Sequence, residues 1–194
     1  MKTKPILFSA PMIRTLLAGR KTQTRRVIKP QPDAATNSFC TKEVNAAWQE
    51  GFVPVKCPYG KPGDLLWVRE AFSWAIIDND NGRRLLDSPQ LFKADNMGWY
   101  EIKWKPSIHM PRAASRITLE ITGVRVEKLR DISERDAIAE GFKSEDDFHD
   151  YWFEINPVSD QCVQGDAEDD PWVWVIEFKV HQQNVDEFLK ARAA

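Results

Sequence analysis

Arg116 to Leu129 reads RITLEITGVRVEKL, with Ile117, Leu119 and Ile121 alternating with polar residues in the period-two pattern of a strand with one buried face. After Gly123 the apolar positions move to Val124 and Val126, which predicts a bulge at the glycine. Downstream, ISERDAIAEGF places Ser133 three residues before Asp136, an approximate capping signal for a short helix ending at Gly141. A second helix is expected over about 144–154. PWVWVIEFKV then reads as the last strand, and NVDEFLKARAA as a terminal helix with an asparagine cap. Upstream lie the loop KPSIHMPR, a strand from Trp99 to Trp104 and a hairpin through Gly82 in DNDNGRR. Before them a Pro-Gly turn feeds a strand from Leu65 to about Trp74. Pro30, Pro32, Pro54, Pro58 and Pro62 mark 29–62 as a long loop, a candidate lid. The chain opens with a short strand, Ile6 to Phe8. A helix from Ala10-Pro11 follows, with Met12, Ile13, Leu16 and Leu17 on one face, stopping at Gly19 before a strand from Thr24 to Ile28. Roughly five to seven strands with short helices predict an α+β protein, a small, mixed, mostly antiparallel β-barrel rather than a doubly wound sheet.

At 194 residues one core is sufficient, so 1–194 is expected to form a single domain with long insertions at about 29–62 and 75–115. A composition 42% hydrophobic and 29% charged is that of a globular chain, neither disordered nor membrane-spanning. The start, MKTKPILFSAPMIRTLL, breaks its apolar run with prolines and an arginine, unlike a signal peptide, and a cytoplasmic protein is expected. Cys40, Cys57 and Cys162 are widely spaced and form no CxxC, and His109, His149 and His181 form no HxH or HExxH. Neither a disulfide framework nor a metal site is expected. No GxGxxG or GxxxxGK[ST] is present, so no nucleotide cofactor is expected either.

Charge is distributed unevenly. Met1 to Pro32 carries eight Lys or Arg and no acid, whereas Lys143 to Asp170 carries ten Asp or Glu and one lysine. The cations crowd in GRKTQTRR, Gly19 to Arg26. Arg20, Lys21, Arg25 and Arg26 beside Thr22 and Thr24 suit an anion, because guanidinium groups grip oxyanions and turn amides add donors. The like charges of Arg20, Arg25 and Arg26 also favour a neutral Lys21, able to act as a base with a nearby threonine as nucleophile. An exposed basic turn is the alternative. Two carboxylates stand out: Glu140, at a helix end where the dipole does not favour it, and Glu70, on a predicted strand. Lys105, Ser107, His109, Arg112, Ser115 and Arg116 make a polar, basic loop fit for nucleic acid or for plain hydrogen bonding. Trp67, Trp172 and Trp174 fall on predicted strands as core candidates. Trp74, Trp99 and Trp104 are candidates for rim packing or for stacking on bases.

GxKTxTxR at Gly19 to Arg26, PGDLLWV at Pro62 to Val68, AIAEGF at Ala137 to Phe142 and WVIEF at Trp174 to Phe178 together resemble the ASCH superfamily. The longer form, with CPYG before PGD and KPSIHMPRAASRITLEIT in the middle, is similar to ASCH proteins of bacteriophages and prophages. The resemblance implies a PUA-like barrel associated with RNA. Motif matching to the bacterial N(4)-acetylcytidine amidohydrolases of that superfamily implies catalytic roles for Lys21, Thr24 and Glu140. Lys21 would deprotonate Thr24, Thr24 would attack an acyl carbonyl, Glu140 would handle the proton of the departing amine, and Arg26 would bind a phosphate or the oxyanion. Two readings stay open: an amidohydrolase acting on an acylated cytidine or related modified nucleoside, or a non-catalytic RNA-binding module. The binding module would use Arg20, Lys21, Arg25, Arg26 and the loop residues Lys105, Ser107, His109, Arg112 and Arg116. A nuclease is a weaker third.

Overall fold

The computed structural model describes residues 1–29, 56–74, 76–79, 82–85, 91–95, 103–156 and 170–193. In chain order the elements are β1 (Thr3–Leu7), α1 (Ala10–Leu17), β2 (Gln23–Val27), β3 (Leu65–Arg69), β4 (Phe72–Ser73), β5 (Ile76–Asn79), β6 (Gly82–Leu85), β7 (Leu91–Phe92), β8 (Thr118–Lys128), α2 (Glu134–Glu140), α3 (Glu145–Ile155), β9 (Trp172–His181) and α4 (Val185–Ala193). Five strands bond in the order β1, β3, β8, β9, β2, and β4 with β7 and β5 with β6 form separate two-stranded sheets. β1 is parallel to β3, whereas β3 with β8 and β2 with β9 are antiparallel.

This sheet is open. β1 and β2 end the order, and among the described residues no pairing joins them. The β-barrel expected from the sequence, PUA-like or otherwise, is therefore corrected to an open mixed sheet with short helices. Alternation marks a buried face at the start of β8, where Leu119 and Ile121 flank Glu120, but closing a barrel needs tilt and register matched around the whole ring, and no local pattern encodes that.

The chain divides into two compact units: Met1–Gly19, Gly63–Ile121 and Lys179–Ala194 form the first, and Arg20–Pro62 with Thr122–Phe178 the second. In the first, Pro11 sits in the opening turn of α1, Ile13 and Leu16 are buried, and Gly19 follows at φ 70°, a left-handed position suited to glycine. The strand expected from Leu65 to Trp74 is split between β3 and β4 at Glu70-Ala71. There the Glu70 N–H meets Met110 Sδ at 3.3 Å, and Phe72 pairs with Lys105 rather than with β8. The hairpin at Gly82 forms, with Asn79 opposite Gly82. Of the strand expected from Trp99 to Trp104, residues 99–102 lie outside the described residues. Trp104 belongs to no strand. α4 begins beside Asn184, whose Oδ1 accepts from the Asp186 N–H at 2.9 Å.

In the second unit, Ser133 and Ser144 cap α2 and α3, their hydroxyls accepting from the Asp136 and Asp147 N–H groups at 3.2 Å each. Such a cap stabilises a helix by about 1 kcal/mol. Gly141 ends α2 in the left-handed region at φ 96°. Phe148 and Trp152 of α3 pack with Leu129, Ala137, Val173 and Val175 into one apolar core. β8 runs on through Gly123, where a Cβ would lie 2.7 Å from Glu177 Oε2, so the glycine makes room for a carboxylate. Most of the 29–62 insertion and much of 75–115 lie outside the described residues.

Candidate functional site

The second unit gathers the cations of the Gly19 to Arg26 turn from Arg20 onward and Glu140. Thr22 fixes the turn before β2: its N–H donates to the Ala139 carbonyl at 2.8 Å and its carbonyl accepts from the Phe178 N–H at 2.9 Å. Lys21 is thereby carried to the end of α2, where it is 0% exposed. Its Nζ donates to Glu140 Oε2 at 2.6 Å and to the Glu140 carbonyl at 2.8 Å. Arg25 reaches the same carboxylate, Nη1 to Oε1 at 3.4 Å, and its Nη2 donates to Glu127 at 2.9 Å and Asp136 at 3.0 Å. Arg125 extends the network to Glu127, Asp136 and Glu177.

The electrostatics follow from burial. Loss of solvent pushes the Lys21 ammonium down from the usual lysine range, Glu140 pulls it partly back, and Arg26 and Arg25 add to the lowering. For Asp136, burial works against the charged form, but the hydrogen bond from Arg25 and the charges of Arg125 and Arg25 outweigh it and hold the carboxyl below its ordinary range.

Lys21, Arg25 and Glu140 are thus brought together. Thr24, also buried, alternates with Gln23 and Arg25 along β2, so its side chain leaves the strand on the face shared with Arg26. Arg26 is half-buried; loss of solvent lowers its guanidinium from the ordinary range, and Tyr59, Glu140 and Tyr151 oppose that only in part. Arg20 is exposed on the turn.

The loop residues Lys105, Ser107, His109, Arg112 and Arg116 belong to the first unit, and its two arginines are committed internally. Arg112 grips Asp186, Nη2 to Oδ1 at 2.6 Å, and donates to Thr3 Oγ1 at 2.6 Å. Arg116 holds Glu70 through Nε at 2.8 Å and Nη2 at 3.0 Å, binds both oxygens of Asp95, and lies 4.0 Å from the Phe92 ring centroid. Burial opposes the Arg116 charge, but the hydrogen bonds to Glu70 and Asp95 raise its pKa still further. Glu70 is therefore a buried structural partner of Arg116. Ser115 is buried, its hydroxyl donating to the Val68 carbonyl at 2.8 Å, whereas His109 is exposed. The Lys105 ammonium sits over Trp74 at 5.6 Å, and Arg69 lies over Trp67. Trp174 is core, and Trp172 carries Lys128 over its ring. His181 contacts Glu120 at 3.4 Å and the Phe188 ring, and His149 packs against Phe148 and Phe153.

One feature of the first unit escaped the sequence reading. A surface cleft of about 680 Å³ is walled by the start of α1, the Lys93 turn and the segment from Trp104 to Ser107. Its residues lie up to about 100 positions apart, and no motif links them. Among the described residues no group of three or more His, Cys, Asp or Glu is placed to hold a metal ion. None of the described helices is long and apolar enough to cross a membrane.

No family model and no curated protein matches the chain. Among solved structures it is similar to protein EF3133 from Enterococcus faecalis V583, described as DUF984. The identity is 13% and the TM-score 0.45, over 95% of this chain and 83% of that one. A likeness of that size transfers neither fold nor function. The resemblance to the ASCH superfamily is corrected: no family model answers to its motifs, and an open sheet stands where a PUA-like barrel was expected. The function drawn from it falls too, both the amidohydrolase of an acylated cytidine or modified nucleoside and the RNA-binding module or nuclease, along with the phage and prophage kinship. The physical reason lies in the motif itself. A short run of glycine, cations and threonines carries little specificity by itself, and here Lys21 and Arg25 are held by carboxylates of their own unit.

Proposed function

We propose that the second unit carries an acid–base site for a small anionic substrate. Lys21 and Glu140 form the proton-exchanging pair, Arg25 positions the Glu140 carboxylate, and Arg26 binds the anionic group at the half-exposed edge beside Tyr59 and Tyr151. Thr24 supplies a hydroxyl on the same side of β2 as Arg26, and Arg20 adds positive potential at the turn. The observation that supports this reading is the Lys21 ammonium itself, withdrawn from solvent and 2.6 Å from a carboxylate, with its pKa lowered by burial. A lysine so placed releases its proton more readily than a surface lysine, as a general base must. A cytoplasmic setting belongs to the same reading, supported by cysteine spacings that build no disulfide framework.

A second reading is favoured by one contact. Lys21 also donates to the Glu140 carbonyl, one of the last carbonyls of α2, so the pair serves equally as a helix clamp. Titration of ¹³Cε-labelled lysine by NMR, with Lys21→Arg identifying the resonance, separates the two. Lys21 is expected to titrate below ordinary lysine, and lower still in Glu140→Gln, because the carboxylate is what raises it. A midpoint at or above the ordinary value defeats the acid–base reading. Sulfate added to the protein should shift the Thr24 to Arg26 amides in the wild type and not in Arg26→Ala. If no shift occurs, the clamp is the whole role.

A further inference from the structure

We propose that the first unit holds a binding site of its own, the surface cleft between α1 and the Trp104 to Ser107 segment, and that it takes a planar ring bearing one anionic group. A volume of about 680 Å³ falls within the range of small-molecule sites. Among the described residues its lining includes Arg14 and Lys93 and no carboxylate. Arg14 donates through Nη1 to the Ala94 carbonyl at 3.2 Å, which fixes the guanidinium beside the cleft and leaves its other donors for a ligand. The Lys93 backbone N–H donates to the Ala71 carbonyl at 2.9 Å, so the turn that carries the ammonium is held in place.

Asp95 lies on the same turn as Lys93. Both Asp95 oxygens are taken by Arg116, at 2.6 and 3.0 Å, so the positive potential of the cleft is not cancelled from within that turn. Ser107 adds a hydroxyl to the lining. The half-buried Trp104 supplies an indole wall, and a planar ring is the shape that gains most from such a wall. Anion and ring together use both halves of the lining; either alone leaves the cations or the indole without a partner. This inference is independent of the Lys21 pair.

The test titrates the intact protein with 1-naphthyl phosphate, 1-naphthoate, 1-naphthol and inorganic phosphate, following the Trp104 indole N–H by NMR, assigned with Trp104→Phe. Saturable shifts are expected with the two aryl anions, and binding of naphthol or phosphate alone should be about tenfold weaker or less, the loss of one charge-assisted contact or of the ring. A preference between the aryl phosphate and the carboxylate identifies the anion, and either result supports the site. Lys93→Ala alters an exposed side chain and should weaken the aryl anions about tenfold while leaving naphthol unchanged. Equal binding of naphthol and naphthyl phosphate, an unaffected Lys93→Ala protein, or no Trp104 shift at millimolar ligand would each overturn the proposal.

Discussion

The two units of this chain use similar ion pairs in opposite surroundings. In the second, the Lys21 and Arg25 side chains are 0% exposed and share Glu140, itself 2% exposed. In the first, Arg112 and Asp186 are 35% and 49% exposed, and Arg116 reaches from the buried Glu70 out to Asp95 at 50%. The contrast teaches that the worth of an ion pair is set by what happens to the partner left behind. A stranded buried charge has nowhere to go, whereas a stranded surface charge is solvated at little cost.

The largest expected effect is therefore at Glu140. Glu140→Ala strands the Lys21 ammonium, removes one partner of Arg25, and should lower stability by about 3–5 kcal/mol, read from urea unfolding. A loss under about 1 kcal/mol would mean that the network is solvated in solution and that the contrast between the units is false. Glu70→Ala should rank second, at about 1–3 kcal/mol, because the Arg116 it strands keeps Asp95 and reaches water. Should it match Glu140→Ala, the first unit is as charge-dependent as the second.

The third prediction sharpens the comparison through pH. Folded Lys21 holds its proton less firmly than an unfolded lysine, so between its folded pKa and about 10.4 the unfolded chain binds more protons and stability should rise with pH. Urea midpoints of wild type and Lys21→Met across alkaline pH isolate this component: the wild type should gain relative to the variant as pH rises. A wild type that loses ground relative to the variant would place the Lys21 pKa above the unfolded value. For Asp136 the sign is opposite. Its lowered pKa gives stability present above the unfolded carboxyl range and lost as pH falls through the folded value, so Asp136→Asn should flatten the acid limb. The smallest effect belongs to Arg112→Ala, within about 1 kcal/mol by the same unfolding measurement, since its partner Asp186 is half-exposed.

Much of the local structure was legible. Ser133, Ser144, Asn184 and Gly141 declare helix ends through contacts within three residues, and Gly82 declares a hairpin. The break between β3 and β4 was not legible, because Phe72 pairs with Phe92 and Lys105, 20 and 33 positions away. Of the site, the crowding at Gly19 to Arg26 was visible. Of its acidic half only Glu140 stood out: Glu127, Asp136 and Glu177 look like ordinary surface carboxylates until β8, α2 and β9 bring them to Arg25 and Arg125. Arg112 and Arg116 misled for the converse reason, since a basic loop reads as available when its acids lie elsewhere in the chain.

By itself the sequence determined the helices, the hairpin at Gly82 and the approximate course of β2, β8 and β9, because each rests on backbone geometry and side-chain spacing within a few residues. Only the tertiary structure decided whether the sheet closes, which cations are buried, and which carboxylates hold them. Lys21 and Glu140 are 119 positions apart, and hydrogen bonding and desolvation act through space, so nothing in the local spacing of either residue records the pair.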